Sequence, residues 1–277
     1  MMRLLMLTDF SEPAQHAIEY GCKLLQHVNG EGLIAHVFDL PVIDAEVPLT
    51  IYEETVEKTE AEVRKQLGAI AHECHLKYSL SNLRTLYQTG DVVKEALAIA
   101  QDWNPDYILV GSKQSASTWQ MLLGSTTVSL LESSPWPIWV VPYHALIGLP
   151  KRMMYISSLM DDPFFSIVDF SYLVRRLNSN FVYLHIHSGK NHDPLHQRRK
   201  SILIRFLQQW IPHFTYSELY YQSPHQLNEQ FDAFIKEKDI HMMGIHQRHK
   251  GAFNLLFGRS LTYQVLYHTR VPLIVYP

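Results

Sequence analysis

The fold is decided by the stretch Tyr107-Ile108-Leu109-Val110-Gly111-Ser112-Lys113-Gln114, an apolar run that leads into a glycine segment. Ten residues after Gln114 comes Gly124-Ser125-Thr126. A glycine loop that leaves a strand and delivers a Gly-Ser pair to a helix start is how an α/β protein offers backbone N–H groups to a phosphate. The stretch therefore predicts a buried strand, a loop from Gly111 onward and a helix N-terminus.

The same arrangement occurs a second time further along the chain. Residues 239–247 again place an apolar run before a glycine segment, and Gly258 follows eleven residues after Gln247. From Gly90 to Gly111 is 21 residues, and from Ser223 to Gly244 is also 21. Equal spacing of this kind indicates that one unit has been duplicated.

Each copy alternates short apolar runs with amphipathic segments. The first copy predicts strands at 4–7, 32–37, 83–88, 107–110 and 137–141, with helices beginning after Ser11 and at 52–75, 92–101 and after Gly124. The second predicts strands at 153–156, 180–186, 218–222 and 272–276, with helices near 163–174, 197–210 and 226–236. Strands alternating with helices give a parallel sheet covered on both faces. We expect two domains, 1–146 and 147–277, joined by a short Gly/Pro linker.

Composition excludes several classes of protein. The 277 residues are 47% hydrophobic and 18% charged, which is ordinary for a soluble chain that can hold two cores. A net charge of −3 gives no electrostatic reason for nucleic-acid binding. No run is long enough for a membrane helix, and Asp9 interrupts the first apolar run too early for a signal peptide, so we expect a cytoplasmic protein without a membrane partner. Cys22 and Cys74 imply no disulfide framework and are interpreted as buried thiols.

The chain resembles the universal stress protein family in its tandem two-domain form. The residues that carry the resemblance are Met6-Leu7-Thr8-Asp9-Phe10-Ser11, Ala35-His36-Val37, Gly90-Asp91, Gly111 through Gly124-Ser125, and Pro137-Ile138-Trp139-Val140-Val141. The resemblance implies a five-stranded sheet in the order 3-2-1-4-5 in each domain, with the last strands of the two domains pairing as an intramolecular pseudo-dimer. It also implies a stress-linked regulatory protein, in a family where some members bind ATP or AMP and others bind no nucleotide.

The resemblance further implies a nucleotide site in the first copy. In the family, an aspartate after the first strand contacts adenosine and a glycine loop wraps the phosphates. The candidate cofactor-binding residues are Thr8, Asp9, Val37, Gly111, Gly124, Ser125 and Thr126. The alternative interpretation of Asp9 and Ser125 is helix capping and turn formation, which these residue types perform in any fold.

Both copies depart from the family's ATP-binding pattern of Gly, two residues, Gly, nine residues, Gly and then Ser or Thr. Gln114 stands at the second glycine of the first copy, where a glycine leaves space for phosphate oxygens. In the second copy Gln247 stands at this position, Gly258 comes one residue late and Ser158 replaces Asp9. We therefore expect the second copy to have lost adenosine recognition.

Histidines near the second glycine segment suggest another kind of site. His185 and His187 alternate along one strand, and His246 and His249 lie in the segment expected to face them. Such a group can bind a transition metal or an anion, but no tight ligand motif is present, so we predict no metal site. The neighbouring cations Arg248, Lys250 and Arg259 favour an anion.

The leading functional hypothesis is a non-catalytic stress regulator that acts through a protein partner. No nucleophile–base pair, paired carboxylates or metal triad emerges in both copies, so no catalytic residue is assigned. The alternative hypothesis is a nucleotide hydrolase or transferase that uses Asp9 with Lys113. The internal domain pair is expected, and further homo-oligomerisation is left open.

Overall fold

A computed structural model describes residues 1–40, 49–114, 121–157, 164–188, 194–211, 213–221, 223–247 and 271–277 of the chain. The helices are α1 (Glu12–Val28), α2 (Leu49–Tyr78), α3 (Val92–Trp103), α4 (Ser125–Ser133), α5 (Phe164–Arg176), α6 (Pro194–Trp210) and α7 (Pro224–Glu237). The strands are β1 (Arg3–Leu7), β2 (Glu31–Phe38), β3 (Leu83–Thr89), β4 (Tyr107–Gln114), β5 (Met121–Leu122), β6 (Ile138–Pro142), β7 (Arg152–Ser157), β8 (Asn180–Ser188), β9 (Phe214–Tyr221), β10 (Met242–His246) and β11 (Leu273–Tyr276). None of the helices in these ranges is long and apolar enough to span a bilayer.

One continuous sheet runs through both halves of the chain, in the order β3-β2-β1-β4-β6-β11-β10-β7-β8-β9. Neighbouring strands are parallel within each half, and β6 pairs antiparallel with β11, with Trp139 opposite Ile274. Apart from the two-residue strand β5, which pairs with β4, each half thus has the strand order 3-2-1-4-5. This confirms the predicted fold class and the pairing of the last strands. The boundary at residue 146 falls between β6 and β7 and stays a prediction.

The central strands are apolar because helices cover both of their sides. All five residues of β6 and all four of β11 are buried. Helices α1, α2, α5 and α6 contribute to the core on one face of the sheet, and α3, α4 and α7 contribute to the core on the other. Cys22 on α1 and Cys74 on α2 are buried free thiols, as expected.

Side-chain caps set the start of three helices. Ser11 Oγ accepts a hydrogen bond from the Ala14 amide at 3.4 Å, Asp91 Oδ1 from Lys94 at 2.8 Å, and Ser223 Oγ from Gln226 at 3.2 Å. Each of these bonds satisfies an N–H group that the helix itself leaves unpaired. Helices α1 and α3 begin where the sequence predicts, and α7 begins two residues before its predicted start, at Pro224 directly after its cap.

Two strands differ from the sequence-based expectation. The prediction of a loop from Gly111 onward was wrong, because β4 continues through this residue: Gly111 pairs with Val141 of β6, and Gln114 pairs with Met121 of β5. Strand β9 begins four residues earlier than predicted, at Phe214. Its early residues are held by ring contacts with β8, since the Phe214 ring lies 6.3 Å from that of Phe181.

Candidate functional site

A cavity of about 500 Å³ opens at the carboxyl ends of β1 and β4. This is the position where the strand order of the first half reverses, and open α/β sheets bind ligands at such a switch point. The cavity brings together all seven residues predicted from the sequence: Thr8, Asp9, Val37, Gly111, Gly124, Ser125 and Thr126. Ser112, Lys113 and Thr127 also line it.

The turn after β1 holds Thr8 and Asp9 at the cavity. Thr8 Oγ1 accepts a hydrogen bond from the Phe10 amide at 2.9 Å, and Phe10 has a left-handed backbone with φ of 62°. Asp9 Oδ1 accepts from the Ser11 amide at 3.0 Å and from the Ser11 hydroxyl. The Asp9 side chain is exposed, so its carboxylate is fixed by the start of α1 and also faces solvent.

Gly111 allows β4 to approach the start of α1 closely. A Cβ atom at this position would lie 2.3 Å from the Pro13 carbonyl oxygen and 2.9 Å from the Ala14 nitrogen. Both of these are backbone atoms, which cannot move aside as a flexible side chain would. The glycine is therefore required by packing against α1, and it lies in extended strand instead of a phosphate-wrapping loop.

Helix α4 directs its N-terminus at the same cavity. Gly124 is the N-cap, no side chain caps the helix, and the first helical hydrogen bond runs from the Val128 amide to the Gly124 carbonyl at 3.0 Å. The amides of Ser125, Thr126 and Thr127 therefore lie outside the helical hydrogen-bond ladder. Together with the Lys113 side chain, these donors make this end of the cavity attractive to an anion.

Ser112 is the cavity residue whose polar group most needs a partner. Its side chain is only 2% exposed, and Oγ has no hydrogen-bond partner within the described part of the chain. A buried hydroxyl is normally satisfied by protein, water or ligand. The sequence analysis did not assign Ser112 to the site, although its place directly after Gly111 at the end of β4 was an available signal.

The opposite wall of the cavity is apolar. It is formed by side chains from β1, β2, β4 and α3, namely Leu7, Ala35, Val37, Val92, Ala96 and Val110. An apolar wall facing a group of polar donors suits a ligand with a flat hydrophobic part and an anionic part.

The second half keeps the repeat but carries different side chains at the corresponding place. His36 Nδ1 hydrogen-bonds to the Thr8 carbonyl at 2.7 Å, and 149 residues later His185 Nδ1 hydrogen-bonds to the Ser157 carbonyl at 3.2 Å. A Cβ atom on Gly244 would lie 2.5 Å from the Phe170 ring. The strand registers place Gly244 level with Leu109 and His246 level with Gly111, so the sequence-based match of Gly244 to Gly111 was wrong. Phe170 of α5 lies over Gly244 at the place where Gly21 of α1 lies beside Leu109 in the first half.

Much of the predicted anion segment lies outside the described residues, including Ser158, Arg248, His249, Lys250, Gly258 and Arg259. The side chain of His187 is also outside this description. Within the described ranges no group of three or more His, Cys, Asp or Glu side chains could hold a metal ion. The anion-binding prediction for this segment stays a prediction.

Comparisons with known proteins identify the family. The profile of the Universal stress protein family matches residues 1–142. A universal stress protein from Archaeoglobus fulgidus DSM 4304 superposes with a TM-score of 0.70 at 18% identity, covering 99% of this chain and 97% of that chain. A putative universal stress protein from Pseudomonas aeruginosa UCBPP-PA14 superposes with a TM-score of 0.59 at 10% identity, covering 99% and 92%.

No curated protein sequence matches the chain significantly. The two structural likenesses, at 18% and 10% identity, support the fold alone. The family profile spans more than half of the 277 residues and includes the whole of the cavity described above. The chain therefore belongs to the universal stress protein family.

Proposed function

We propose that this chain is a non-catalytic stress-response regulator that binds an adenine nucleotide, AMP or ATP, in the cavity of its first half. The observation that carries the proposal is the buried Ser112 hydroxyl, which lies at the cavity without a partner among the described residues. The free amides of α4 and the Lys113 side chain support an anionic ligand at the same end. We further propose that the protein acts in the cytoplasm through a protein partner.

Each part of a nucleotide has a matching group in the cavity. The apolar wall around Val37 and Ala96 suits the base, and the exposed Asp9 carboxylate suits the ribose hydroxyls. Ser112 and the α4 amides would hold a phosphate, which helix N-termini favour. The bound nucleotide would supply charge and hydrogen-bonding groups for the regulatory contact. This division of roles makes the ligand chemistry specific enough to test.

The same cavity offers little to a hydrolase. Among its described residues Asp9 is the single carboxylate, no histidine is present, and Asp9 Oδ1 already accepts two hydrogen bonds from Ser11. A hydrolytic reaction needs a group that orients or deprotonates water within reach of the phosphate. The alternative role of Asp9 with Lys113 in catalysis therefore has less support than binding alone.

Isothermal titration of the full chain with adenosine, AMP, ADP and ATP tests the proposal. We expect AMP or ATP to bind, and Asp9→Asn to weaken binding by about tenfold or more, because it removes a charged hydrogen-bond acceptor. Asp102→Asn is the matched control, since Asp102 is an exposed residue of α3 that does not line the cavity.

Two outcomes would contradict the proposal. No heat with any of the four ligands, together with no nucleotide retained on the purified protein by mass spectrometry, would exclude an adenine-nucleotide site. Sustained ATP turnover that Asp9→Asn abolishes would instead support the hydrolase.

A further inference from the structure

The two faces of the sheet differ in what their helices expose. Among the described residues, every large apolar side chain exposed on a helix belongs to α2, α5 or α6, all on the same face. Those on α5 and α6 are Phe164, Phe165, Tyr172, Ile202 and Trp210, and α2 adds Ile51 and Leu76. Apolar residues gathered on one face mark an interaction surface, whereas scattered ones need no explanation.

Three of these exposed aromatic residues, Phe164, Tyr172 and Trp210, join the half-buried Phe206 in one contiguous group, which we call the aromatic patch. The ring centroids of Phe164 and Phe206 lie 4.7 Å apart, those of Phe206 and Trp210 6.1 Å, and those of Tyr172 and Trp210 5.8 Å. Phe164 is 46% exposed, Tyr172 54% and Trp210 38%. Clustered aromatic residues with this exposure are typical of interface centres.

Positive charge surrounds the aromatic patch. Arg175 lies in the same surface depression as Phe206 and Trp210. Helix α6 contains three arginines and a lysine but no acidic residue. Its Arg198 and Arg205 are exposed and form no ion pair with the described residues. The partner of this surface should therefore carry exposed carboxylates and some apolar side chains.

Helix α2 on the same face has this complementary character. It contains six glutamates against four lysines and arginines, and Glu53 and Glu57 near its start are exposed. Ile51 and Leu76 supply exposed apolar groups on the same helix. One face of the sheet therefore carries a basic, aromatic surface on α5 and α6 at one end and an acidic surface on α2 at the other.

The symmetry of the sheet allows a dimer to bury the α2 surface and the α5–α6 surface of each chain at the same time. The antiparallel β6–β11 pair relates the two halves by an approximate two-fold axis normal to the sheet, which places α2 and α6 at opposite ends of the face. A second copy turned about an axis parallel to the strands would lay its α6 on α2 and its α2 on α6. Such an arrangement is closed and uses the same contact twice, as stable dimers do.

We propose that a second copy of this chain covers the α2–α5–α6 face, so that two chains form a face-to-face dimer in which α6 of each contacts α2 of the other. This contact is separate from the nucleotide cavity and does not depend on the proposed function. It is also separate from the β6–β11 pairing, which both copies keep internally.

Sedimentation velocity of the full chain, at several concentrations and salt levels, tests the dimer. We expect a dimer that weakens with salt, because exposed charges are screened. Trp210→Ala should raise the dimer dissociation constant about tenfold or more, since central tryptophans carry much of an interface's energy. Lys94→Glu, an exposed change on α3 of the opposite face, is the control and should leave the dimer intact.

A charge exchange tests which helices meet. The triple variant Arg198→Glu/Arg199→Glu/Arg205→Glu makes α6 acidic, with three glutamates against Lys200, and Glu53→Lys/Glu57→Lys makes the start of α2 basic. Each variant alone should be monomeric, because α2 and α6 then carry like charges. An equimolar mixture should form heterodimers, because both contacts regain opposite charges. Circular dichroism and thermal melting check that every variant is folded.

Three results would overturn the dimer. The first is a wild-type chain that stays monomeric at all concentrations, including one that binds anionic phosphatidylglycerol vesicles through the patch instead. The second is a dimer that is indifferent to Trp210→Ala and to both charge reversals. The third is a failure of the two reversed variants to associate when mixed.

Discussion

At the scale of single residues, two glycines of this chain differ in how much space surrounds them. Gly111 allows two backbones to approach, because a Cβ atom would meet the Pro13 carbonyl at 2.3 Å. Gly68 in α2 has nothing within 4 Å of a Cβ atom. Sequence alone gives no way to tell these two cases apart, since the difference depends on the position of another element.

We expect Gly111→Ala and Gly68→Ala to have opposite effects on stability. The first should lower the free energy of unfolding by about 1–3 kcal/mol, because it overpacks the contact with α1. The second should raise it by about 0.5–1 kcal/mol, because alanine favours the helix. Urea denaturation of both variants measures this. A Gly111→Ala protein as stable as the wild type would show that β4 and α1 are further apart than described.

The seven candidate site residues could be named from the sequence because they stand close to strand ends at spacings that resemble the family's pattern, and that resemblance gave them roles. Ser112 and Thr127 were missed, although each directly follows an assigned residue in the sequence. The burial of Ser112 comes from β4 pairing with β6, which only the fold reveals.

At the scale of elements, the β4–β5 pair holds the backbone of Gln114 in an extended strand. The backbone of Gln114 pairs with that of Met121. The family's ATP-binding pattern has a glycine at this position. A glycine in a strand loosens it and removes the side chain. We therefore expect the residue at this position to limit the binding of a ligand with a long phosphate chain.

Gln114→Gly should raise the affinity for ATP more than the affinity for AMP. In the family's ATP-binding pattern this position leaves space for phosphate oxygens, so we expect the change to help ATP, which has three phosphates, more than AMP, which has one. Isothermal titration with both nucleotides measures the ratio, and Gln247→Gly in the second half is the comparison. Equal gains in the two variants, or no gain in Gln114→Gly, would refute the idea that this position limits ATP binding.

Most elements were predictable because their apolar periods and caps agree. Helix α1 illustrates this, since Ser11 caps it and the residues that share one helical face are all buried: Ala14, Ala17, Ile18, Gly21, Cys22 and Leu25. The end of β4 and the start of β9 were not predictable in the same way. Both are fixed by strand partners distant in sequence, which local pattern does not contain.

At the scale of the whole molecule, the half-buried carboxyl of Asp169 links the two halves. Asp169 of α5 accepts hydrogen bonds from Tyr107 of β4 at 2.6 Å and from Tyr276 of β11 at 2.8 Å. Burial raises the pKa of Asp169, although the two hydroxyl groups act in the opposite direction. The neutral form is therefore favoured in the folded protein relative to the unfolded chain.

Asp169→Asn should become more stabilising, relative to the wild type, as pH rises. A raised folded pKa means that the wild-type contribution is fully present below the unfolded value of about 3.9 and is lost as pH rises through the folded value. Thermal melting of both proteins from pH 4 to pH 7 measures the difference, with Asp102→Asn as the exposed control. A difference that shrinks with rising pH would mean that the carboxylate is the favoured form.

Separating the halves should expose β6 and β11. Both strands are fully buried and would present unpaired apolar edges if they were parted. Fragments 1–146 and 147–277, expressed separately, should self-associate or aggregate and should bind one another when mixed. Two monomers without mutual affinity in analytical ultracentrifugation would contradict this pairing and the proposed domain boundary.

We expect the β6–β11 pair to make the two halves unfold as a single cooperative unit. Unfolding of either half would expose the β6 or β11 strand of the other half to solvent. The free energy needed to open one half therefore includes the loss of contacts in both halves. A ligand that binds only the native first half would then slow hydrogen exchange at the amides of β8 and β10, far from its own site. Ligand binding in the cavity of the first half would then reduce local opening of the sheet in both halves through the β6–β11 pair.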